Sequence, residues 1–421
     1  MPRVLLFAAT TGYQIRAFDE AATRLGVELQ LASDCCDRLD DPWRDRAIAV
    51  RFHDVDASLV ALDQALTEPP AGVIAVGDRP TVLAARAAER FGVRWHSPAA
   101  AERSRHKVKT RDTLRAAGLP APDYVAIDDG VSRSTAIARA EHLLPAVVKP
   151  VVLSGSRGVI RADTREELFA AVARLRRLLD SHDVRALRDP SSSTIVVEQF
   201  VGGREFALEG VVDRDVLKVT AIFDKPDPLD GPFFEETIYA TPSRADDDTV
   251  EAIVATVDRA RQALDLRHGP IHAECRVGPA GVTVLEVAAR PIGGLCARAV
   301  QLANRQGERC TLEELLLRHA VGEDIDEWRP PREGSAVMMV PIPRKGIYRG
   351  VEGLDVAAGV AGVTDIRVTA RPDQVLTPLP EGATYLGFIF ARGATAAEAE
   401  ASVREAHARL RFRIDRAVPM G

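Results

Sequence analysis

Cysteine is scarce and irregularly placed in this chain: there are five, an odd number, with Cys35 and Cys36 adjacent and no C-x-x-C pair. Such spacing excludes a disulfide framework and a cysteine-built zinc site, and reads as reduced thiols. Long apolar runs are also missing. No stretch reaches the roughly 20 residues that cross a bilayer, and the run at 4–9 behind Met-Pro-Arg is too short for the apolar core of a signal peptide. The cytoplasm is therefore the expected location, with no membrane partner. Nor does either charge dominate. With 55 Lys and Arg against 61 Asp and Glu, the formal net charge of -6 gives no basic field for nucleic acid. The dinucleotide fingerprint G-x-G-x-x-G is absent. Thr10-Thr11-Gly12-Tyr13 stands where it would fall, so a nicotinamide cofactor is not expected. Internal repeats and low-complexity tracts are lacking too.

What remains is the composition of a folded protein, 46% hydrophobic and 28% charged over 421 residues, long enough for about two to four domains. Apolar runs at 4–9, 27–32, 47–52 and 71–76 alternate with helix-like stretches such as Ile15, Phe18, Ala22 and Leu25, the pattern of an open parallel α/β sheet. A helix from Ser104 carries Lys107, Arg111 and Leu114 about a turn apart and stops at Gly118, with Pro120 and Pro122 marking a boundary. Strands are expected at 145–150 and 159–162, followed by a helix opened by the capping box Thr164-Arg165-Glu166-Glu167. Arg174 on that helix is expected to lie outside any chemistry, as a control position. Runs 195–200 and 206–212 read as a hairpin through Val201-Gly202-Gly203-Arg204, and runs 271–277 and 282–288 as a second hairpin. After Pro330 and Pro331 the chain turns to short strands at 336–341 and 362–370 and a helix near 395–410, read as a separate C-terminal α/β domain.

Several polar groups stand at expected strand ends. The loop Leu153-Ser154-Gly155-Ser156-Arg157-Gly158-Val159 lies between two strands, and its glycines let backbone amides approach an anion closely. It is no Walker P-loop, because no Gly-Lys-Ser/Thr follows. Lys149 ends an apolar strand, where a buried ammonium calls for an anionic partner such as a phosphate under that loop. Glu198, followed by Gln199 and Phe200, combines a carboxylate, a backbone segment and a ring, a set able to bond an adenine edge and stack on its face. Glu205, close to Glu198 if the hairpin forms, suits paired ribose hydroxyls.

His272, Glu274 and Arg276 alternate on one strand face, while Glu286, Ala288 and Arg290 share a face of its partner. Two carboxylates, Glu274 and Glu286, thus converge, and magnesium takes hard oxygen ligands of this kind. Arg290 precedes Pro291-Ile292-Gly293-Gly294, whose amides can face an oxyanion beside the guanidinium. Singly, each group has a plainer reading: a mobile hairpin tip for the loop, a snorkelling stem for Lys149, solvent-facing acids for Glu198 and Glu205, a cross-strand surface network for Glu274 and Glu286, and a buried structural pair for Arg290.

Their order is more specific: a Lys-bearing helix, V-V-K-P, S-G-S-R-G-V, V-V-E-Q-F-V-G-G-R-E-F, H-A-E-C-R and V-L-E-V-A-A-R-P-I-G-G. This order resembles the ATP-grasp superfamily across nearly the whole chain. R-P-I-G-G, the stretch 350–353 and Tyr385-Leu386-Gly387-Phe388 are similar to bacterial L-amino-acid ligases. The resemblance implies an α/β fold with a Rossmann-like pre-grasp domain at 1–102, an ATP-grasp domain at 103–330 whose lid spans about 120–200, and a C-terminal α/β domain at 331–421. It further implies that Lys107 and Lys149 hold ATP phosphates beneath a lid loop containing Ser154, Gly155, Ser156 and Gly158. Glu198 with the backbone of Gln199, Phe200 and Val201 would hold adenine, and Glu205 ribose. Glu274 and Glu286 would ligate magnesium, with manganese as an alternative ion. Arg290, with Gly293 and Gly294, would stabilise phosphoryl and tetrahedral intermediates, and His272 would face the γ-phosphate.

One departure stands out: many relatives carry E-x-N after the second metal ligand, and here the Asn position is Ala288. Water or a substrate oxygen is expected to complete that shell. The implied activity joins a carboxylate, such as that of an amino acid, to an amine through an acylphosphate, releasing ADP and phosphate. The partners are then small-molecule acids and amines, and a homodimer is compatible. Two other readings stay open: a formate- or bicarbonate-dependent enzyme resembling purine-biosynthetic ligases or biotin carboxylase, and a nucleotide-binding module without turnover. The aromatic stretch from Phe233 to Tyr239 points to a larger substrate pocket than a one-carbon acid needs.

Overall fold

The computed structural model describes residues 1–9, 13–34 and 47–416. Thr10 to Gly12, where a dinucleotide fingerprint would fall, and the Cys35-Cys36 pair lie outside the described residues. Strands β1 (Arg3–Ala8), β2 (Glu28–Ser33), β3 (Ile48–Ala49) and β4 (Gly72–Val76) form a parallel sheet in the order β3-β2-β1-β4. Helices α1 (Tyr13–Leu25) and α2 (Val55–Ala65) connect these strands, and α3 (Thr81–Phe91) follows β4. β4 is buried along its whole length, as a parallel strand covered on both faces must be. Strand order reverses at β1, and a crevice opens beyond the carboxyl ends of β1 and β4.

Helices α4 (Pro98–Arg105) and α5 (Lys107–Ala116) lead away from this sheet, with Arg111 and Leu114 of α5 buried. The next segment comprises β5 (Tyr124–Ile127), α6 (Arg133–Ala140), β6 (Ala146–Pro150), β7 (Ile160–Ala162), α7 (Arg165–Leu179), α8 (His182–Arg185) and β8 (Ile195–Gln199). Its strands form an antiparallel sheet in the order β5-β8-β6-β7, packed on α6 and α7 through one apolar core. The capping box at Thr164 and Glu167 opens α7 as its sequence requires.

The largest sheet begins with β9 (Arg204–Asp213), β10 (Val216–Asp224) and β11 (Ile238–Thr241). Helix α9 (Asp247–Ala263) and the hairpin of β12 (Gly269–Gly278) and β13 (Gly281–Ala288) follow. Further on come β14 (Gln301–Ala303), β15 (Arg309–Thr311), α10 (Leu312–Ala320), β16 (Gly334–Val340), β17 (Gly346–Glu352) and α11 (Leu354–Ala358). The chain closes with β18 (Val363–Val368), β19 (Val375–Leu376), β20 (Gly387–Gly393), α12 (Ala396–Arg409) and β21 (Arg411–Asp415).

One sequence expectation changes here. Runs 195–200 and 206–212 do not form a hairpin: β8 lies in the four-stranded sheet and β9 in the large one. The reason is edge occupancy. β8 is already paired on both sides, with β5 and β6, so β9 has no edge to join. Val201 to Arg204 is instead a link between sheets. Gly203 sits there at φ +112 with its α-carbon so close to Val277 that an added Cβ would lie 2.3 Å from the Val277 carbonyl oxygen. The large sheet continues past residue 330. The eight-stranded order β13-β12-β9-β10-β11-β16-β20-β18 runs straight through it, because β11 pairs antiparallel with β16.

Arg174 makes a long-range contact that no local pattern announces. Its guanidinium grips both oxygens of Glu381, at 2.6 and 2.8 Å, and so ties α7 to the loop before β20. Beside it Arg157 Nε donates to the Glu381 carbonyl at 2.9 Å and the Gly158 amide to the Pro380 carbonyl at 2.8 Å. Together these bonds latch loop 153–159 against the C-terminal segment. A partly exposed pair of this kind is worth about 0.2–1 kcal/mol. Glu381→Ala and Arg174→Ala are each expected to raise hydrogen exchange of amides 153–159 by up to about fivefold, whereas Arg409→Ala, at an exposed pair on α12, leaves it unchanged. Exchange measured by mass spectrometry reads this directly.

Candidate active site

A single cleft of about 600 Å³ lies where the three sheets meet. It is lined from the crevice side by Gln14 and Asp78, from the antiparallel sheet by Lys149 and Glu198, from the large sheet by Glu205, His272, Glu274 and Glu286, and from the C-terminal segment by Tyr385 and Phe388. Lys107, Ser154, Gly155, Ser156, Gln199, Phe200, Val201, Arg290, Gly293 and Gly294 line it as well. Gly158 does not. A side chain there would collide with Leu175 at 2.8 Å, because the residue packs against α7, and its amide belongs to the latch.

At one end, β6 and β8 are neighbours in antiparallel register, with Lys149 opposite Val196. Lys149 Nζ lies 2.6 Å from Glu198 Oε2, and Arg111 of α5 reaches both oxygens of the same carboxylate, Nε to Oε1 at 3.0 Å and Nη2 to Oε2 at 3.1 Å. All three groups are buried. Two cations share one anion, so a surplus positive charge faces the cleft, where only a further anion can balance it. Burial, opposed by Glu198 and reinforced by Arg111 and Lys107, lowers Lys149 to about 8. Lys107 Nζ donates to the Leu153 carbonyl at 2.8 Å and anchors the loop at its base.

Glu198 is therefore first a counter-ion in this site. The amides of Gln199 and Phe200 donate to the Asp123 and Pro145 carbonyls at 2.8 Å, and the Val201 carbonyl accepts from Arg276 Nη1 at 2.8 Å. The Phe200 ring carries the Arg161 guanidinium 4.1 Å and that of Arg276 5.1 Å from its centroid. Much of the backbone expected to read a base is thus already engaged.

The cleft floor is a knot of charge. Lys225, following β10, places Nζ 2.8 Å from Glu205, 2.6 Å from Glu236 and 2.8 Å from Glu274. Arg276 Nε donates to the second oxygen of Glu205 at 2.8 Å. Burial pushes Glu236 up to about 7, aided by the charge of Glu274 against the pull of Lys225. The strand register sets Glu274 directly across from Glu286, next to a bulge between Glu274 and Cys275. Their convergence follows the alternation in the sequence. His272 lies across from Ala288. Its Nδ1 is 3.0 Å from Glu209 Oε2 and its Nε2 3.6 Å from Glu274 Oε1. Burial works against its charge, but the bonds to Glu209 and Glu274 carry it up to about 9. His272 therefore positions Glu274 as a charged clamp.

Arg290 is held by Asp78, Nε to Oδ1 at 2.8 Å and Nη2 to Oδ2 at 3.3 Å, and stands 3.9 Å from Glu286. Burial would raise Asp78, yet Arg290, Lys107 and Ser154 keep it below the usual carboxylate range. Gly293 has open space where a Cβ would point, whereas at Gly294, φ +63, a Cβ would approach the Phe388 ring to 3.3 Å.

Sequence reasoning missed Asp78, Glu209, Lys225 and Glu236 as members of this site. Asp78 had a signal, since it follows the last strand of a parallel sheet at its switch point. Lys225 shares a Lys-Pro step with Lys149 and Pro150, a feature too common to stand out. Glu209 had none, being a single acid in an apolar strand, while Glu236 stood beside Glu235 in the aromatic stretch without a sign of which acid faces the cleft.

This arrangement of a lid sheet, a large sheet with paired strand carboxylates and a cleft between them defines a nucleotide-grasping architecture. Residues 142–299 match the ATP-grasp domain and residues 338–415 the L-amino acid ligase C-terminal domain 2. The chain thus carries an ATP-grasp domain, of a family that uses ATP. The crystal structure of the L-amino acid ligase from Bacillus licheniformis superposes with a TM-score of 0.78 at 26% identity, covering 99% of each chain. Among curated relatives, the uncharacterized protein y4rH of Sinorhizobium fredii is 28% identical over 80% of this chain and 66% of its own length. The alanine--anticapsin ligase of Bacillus subtilis is 27% identical over 46% of this chain and 42% of its own. The chain thus spans less than two thirds of the length of these curated relatives.

Because folding lowers Lys149 from its ordinary 10.5 to about 8, the folded state favours the neutral amine. Below pH 8 the buried ammonium opposes folding, and that opposition fades as the pH rises through 8 towards 10.5. Relative to Lys149→Met, the unliganded parent is expected to gain on the order of 1–3 kcal/mol across this window. Urea unfolding of both proteins at intervals from pH 7.5 to 10.5 checks the sign: a parent that loses ground contradicts it.

Proposed function

We propose that the protein is an ADP-forming carboxylate-amine ligase that joins an amino acid to an amine through an acylphosphate. The observation that carries this reading is the continuity of the cleft, which runs from the Lys149 and Glu198 end past Glu274 and Glu286 to Arg290, Gly293 and Phe388. A phosphate donor and a carboxylate acceptor can therefore meet within one enclosure. The family matches and the likeness to the L-amino acid ligase of Bacillus licheniformis support amide ligation over the one-carbon and non-catalytic readings.

In this reading Lys149 and Lys107, beneath Ser154, Gly155 and Ser156, bind the phosphates, Glu198 holds Lys149 in place at the base end, the backbone groups of Gln199 to Val201 that are not already bonded meet the base, and Glu205 meets the ribose. The residues fit a magnesium ion. Glu274 and Glu286 face one another across a strand pair, and Glu286 is partly exposed to the cleft, giving the hard oxygens that ion takes. Bound magnesium would supply charge neutralisation on the phosphates. With Ala288 nearly fully buried, solvent or substrate oxygens complete the shell and the number of ions is one or two.

Arg290, fixed by Asp78, offers its guanidinium to the charge that develops as the substrate carboxylate attacks the γ-phosphate. The acylphosphate formed is attacked by the amine at its carbonyl carbon, and Arg290 with the Gly293 and Gly294 amides steadies the oxyanion until phosphate departs. The latched loop 153–159 keeps water from the acylphosphate. Tyr385 and Phe388, edge to face at 6.0 Å, give the acceptor end an aromatic wall suited to an amino-acid side chain. A division at 1–102, 103–330 and 331–421 and a cytoplasmic location belong to the same proposal.

A phosphate-release screen of amino-acid pairs with Mg·ATP, followed by mass analysis of the product, tests it. ADP and phosphate are expected only when acid and amine are both present, whereas AMP and pyrophosphate contradict the scheme. Arg290→Ala and Glu286→Ala are each expected to lower kcat by at least about a hundredfold, the scale for losing one transition-state contact, while Arg409→Ala retains full activity.

A further inference from the structure

The far end of β9 and β12 from the cleft carries a second group of potential ligands. Asp213 ends β9, His268 immediately precedes β12, and His319 lies in the last turn of α10. One ligand atom from each falls within 4.8 Å of the others. His319 Nε2 is 3.4 Å, and His268 Nδ1 3.6 Å, from the same oxygen, Asp213 Oδ1. The two rings lie side by side, centroids 4.2 Å apart at 31°. His319 is only 4% exposed, yet its Nε2 makes no hydrogen bond. A buried polar nitrogen left without a partner calls for one.

We infer that Asp213, His268 and His319 form a zinc-binding site, separate from the catalytic cleft, that clamps α10 to the end of the large sheet. The spacing supports this. A tetrahedral ion with bonds of about 2.0–2.1 Å sets its ligand atoms roughly 3.3 Å apart, close to the separations found. The donor set of two imidazoles and one carboxylate suits zinc, whereas the paired carboxylates Glu274 and Glu286 of the cleft suit magnesium. Lys218 Nζ bonds Asp213 Oδ2 at 3.2 Å and leaves Oδ1 turned to the rings. The Arg214 amide, 3.3 Å from His268 Nδ1, is a competitor for that lone pair and must yield to the ion. Water fills the fourth position. Bound there, zinc would fix the strands whose other residues are Glu205, Glu209, His272 and Glu274.

The test uses the full chain, stripped with chelator, and zinc alone without nucleotide. Equilibrium dialysis is expected to give about one zinc per chain for the parent and for Glu286→Gln, and none for His319→Gln or His268→Gln. Zinc should raise the melting temperature of the parent and of Glu286→Gln by several degrees and leave both histidine variants unmoved. Cobalt in its place should give visible absorption bands in the parent that both histidine variants lack. Circular dichroism in chelator establishes that each variant folds. If His319→Gln does not, the more accessible His268→Gln decides. Equal zinc uptake by the parent and a folded histidine variant, or none by the parent, overturns the site.

Discussion

Three carboxylates, Glu205, Glu236 and Glu274, are drawn onto the cleft floor by three different strands and loops, and one buried ammonium, Lys225, holds them there. Brought that close without a cation, the acids would repel one another in a poorly screened interior. The rest of the site takes its position from this knot. Arg276 bonds Glu205 and the Val201 carbonyl, so it fixes the link between the two sheets. His272 bonds Glu209 and faces Glu274, and Glu209 in turn accepts the Ile292 amide, which orients the turn that bears Gly293 and Gly294. Bases, acids and backbone donors are thereby preorganised before any substrate arrives.

The same logic operates between the sheets. Arg290 reaches across from the β13 side to Asp78 at the switch point of the parallel sheet, and Arg111 reaches from α5 to Glu198 in the lid. These buried pairs are poor sources of net stability. They specify geometry, because each cation has only one place where its desolvation is compensated. By contrast, the Arg174 and Glu381 latch is partly exposed and weak, as a contact that must release for substrate to enter should be.

Much of this was legible in the sequence, for physical reasons. Parallel strands buried on both faces leave continuous apolar runs, so β1 and β4 could be read directly. Period-two alternation placed His272, Glu274 and Glu286 on facing strands, and the capping box marked α7. What the sequence did not carry was which strand edge is free. Val201-Gly202-Gly203-Arg204 has the composition of a hairpin turn, and only the occupancy of both edges of β8 turns it into a link between sheets. For the same reason β16 could not be seen to extend the sheet of β11. Asp78, Lys225 and Arg174 matter through partners 212, 49 and 207 residues away, and no local pattern records such distances.

The central claim is that ATP activates a carboxylate as an acylphosphate between Lys149 and Arg290. Its most direct test follows one oxygen atom. An amino acid labelled with oxygen-18 in its carboxylate, turned over with Mg·ATP and an accepting amine, should pass one labelled oxygen to the released phosphate, because the attacking carboxylate oxygen leaves with phosphorus when the amide forms. Label found in AMP, or phosphate released without label, would contradict the account.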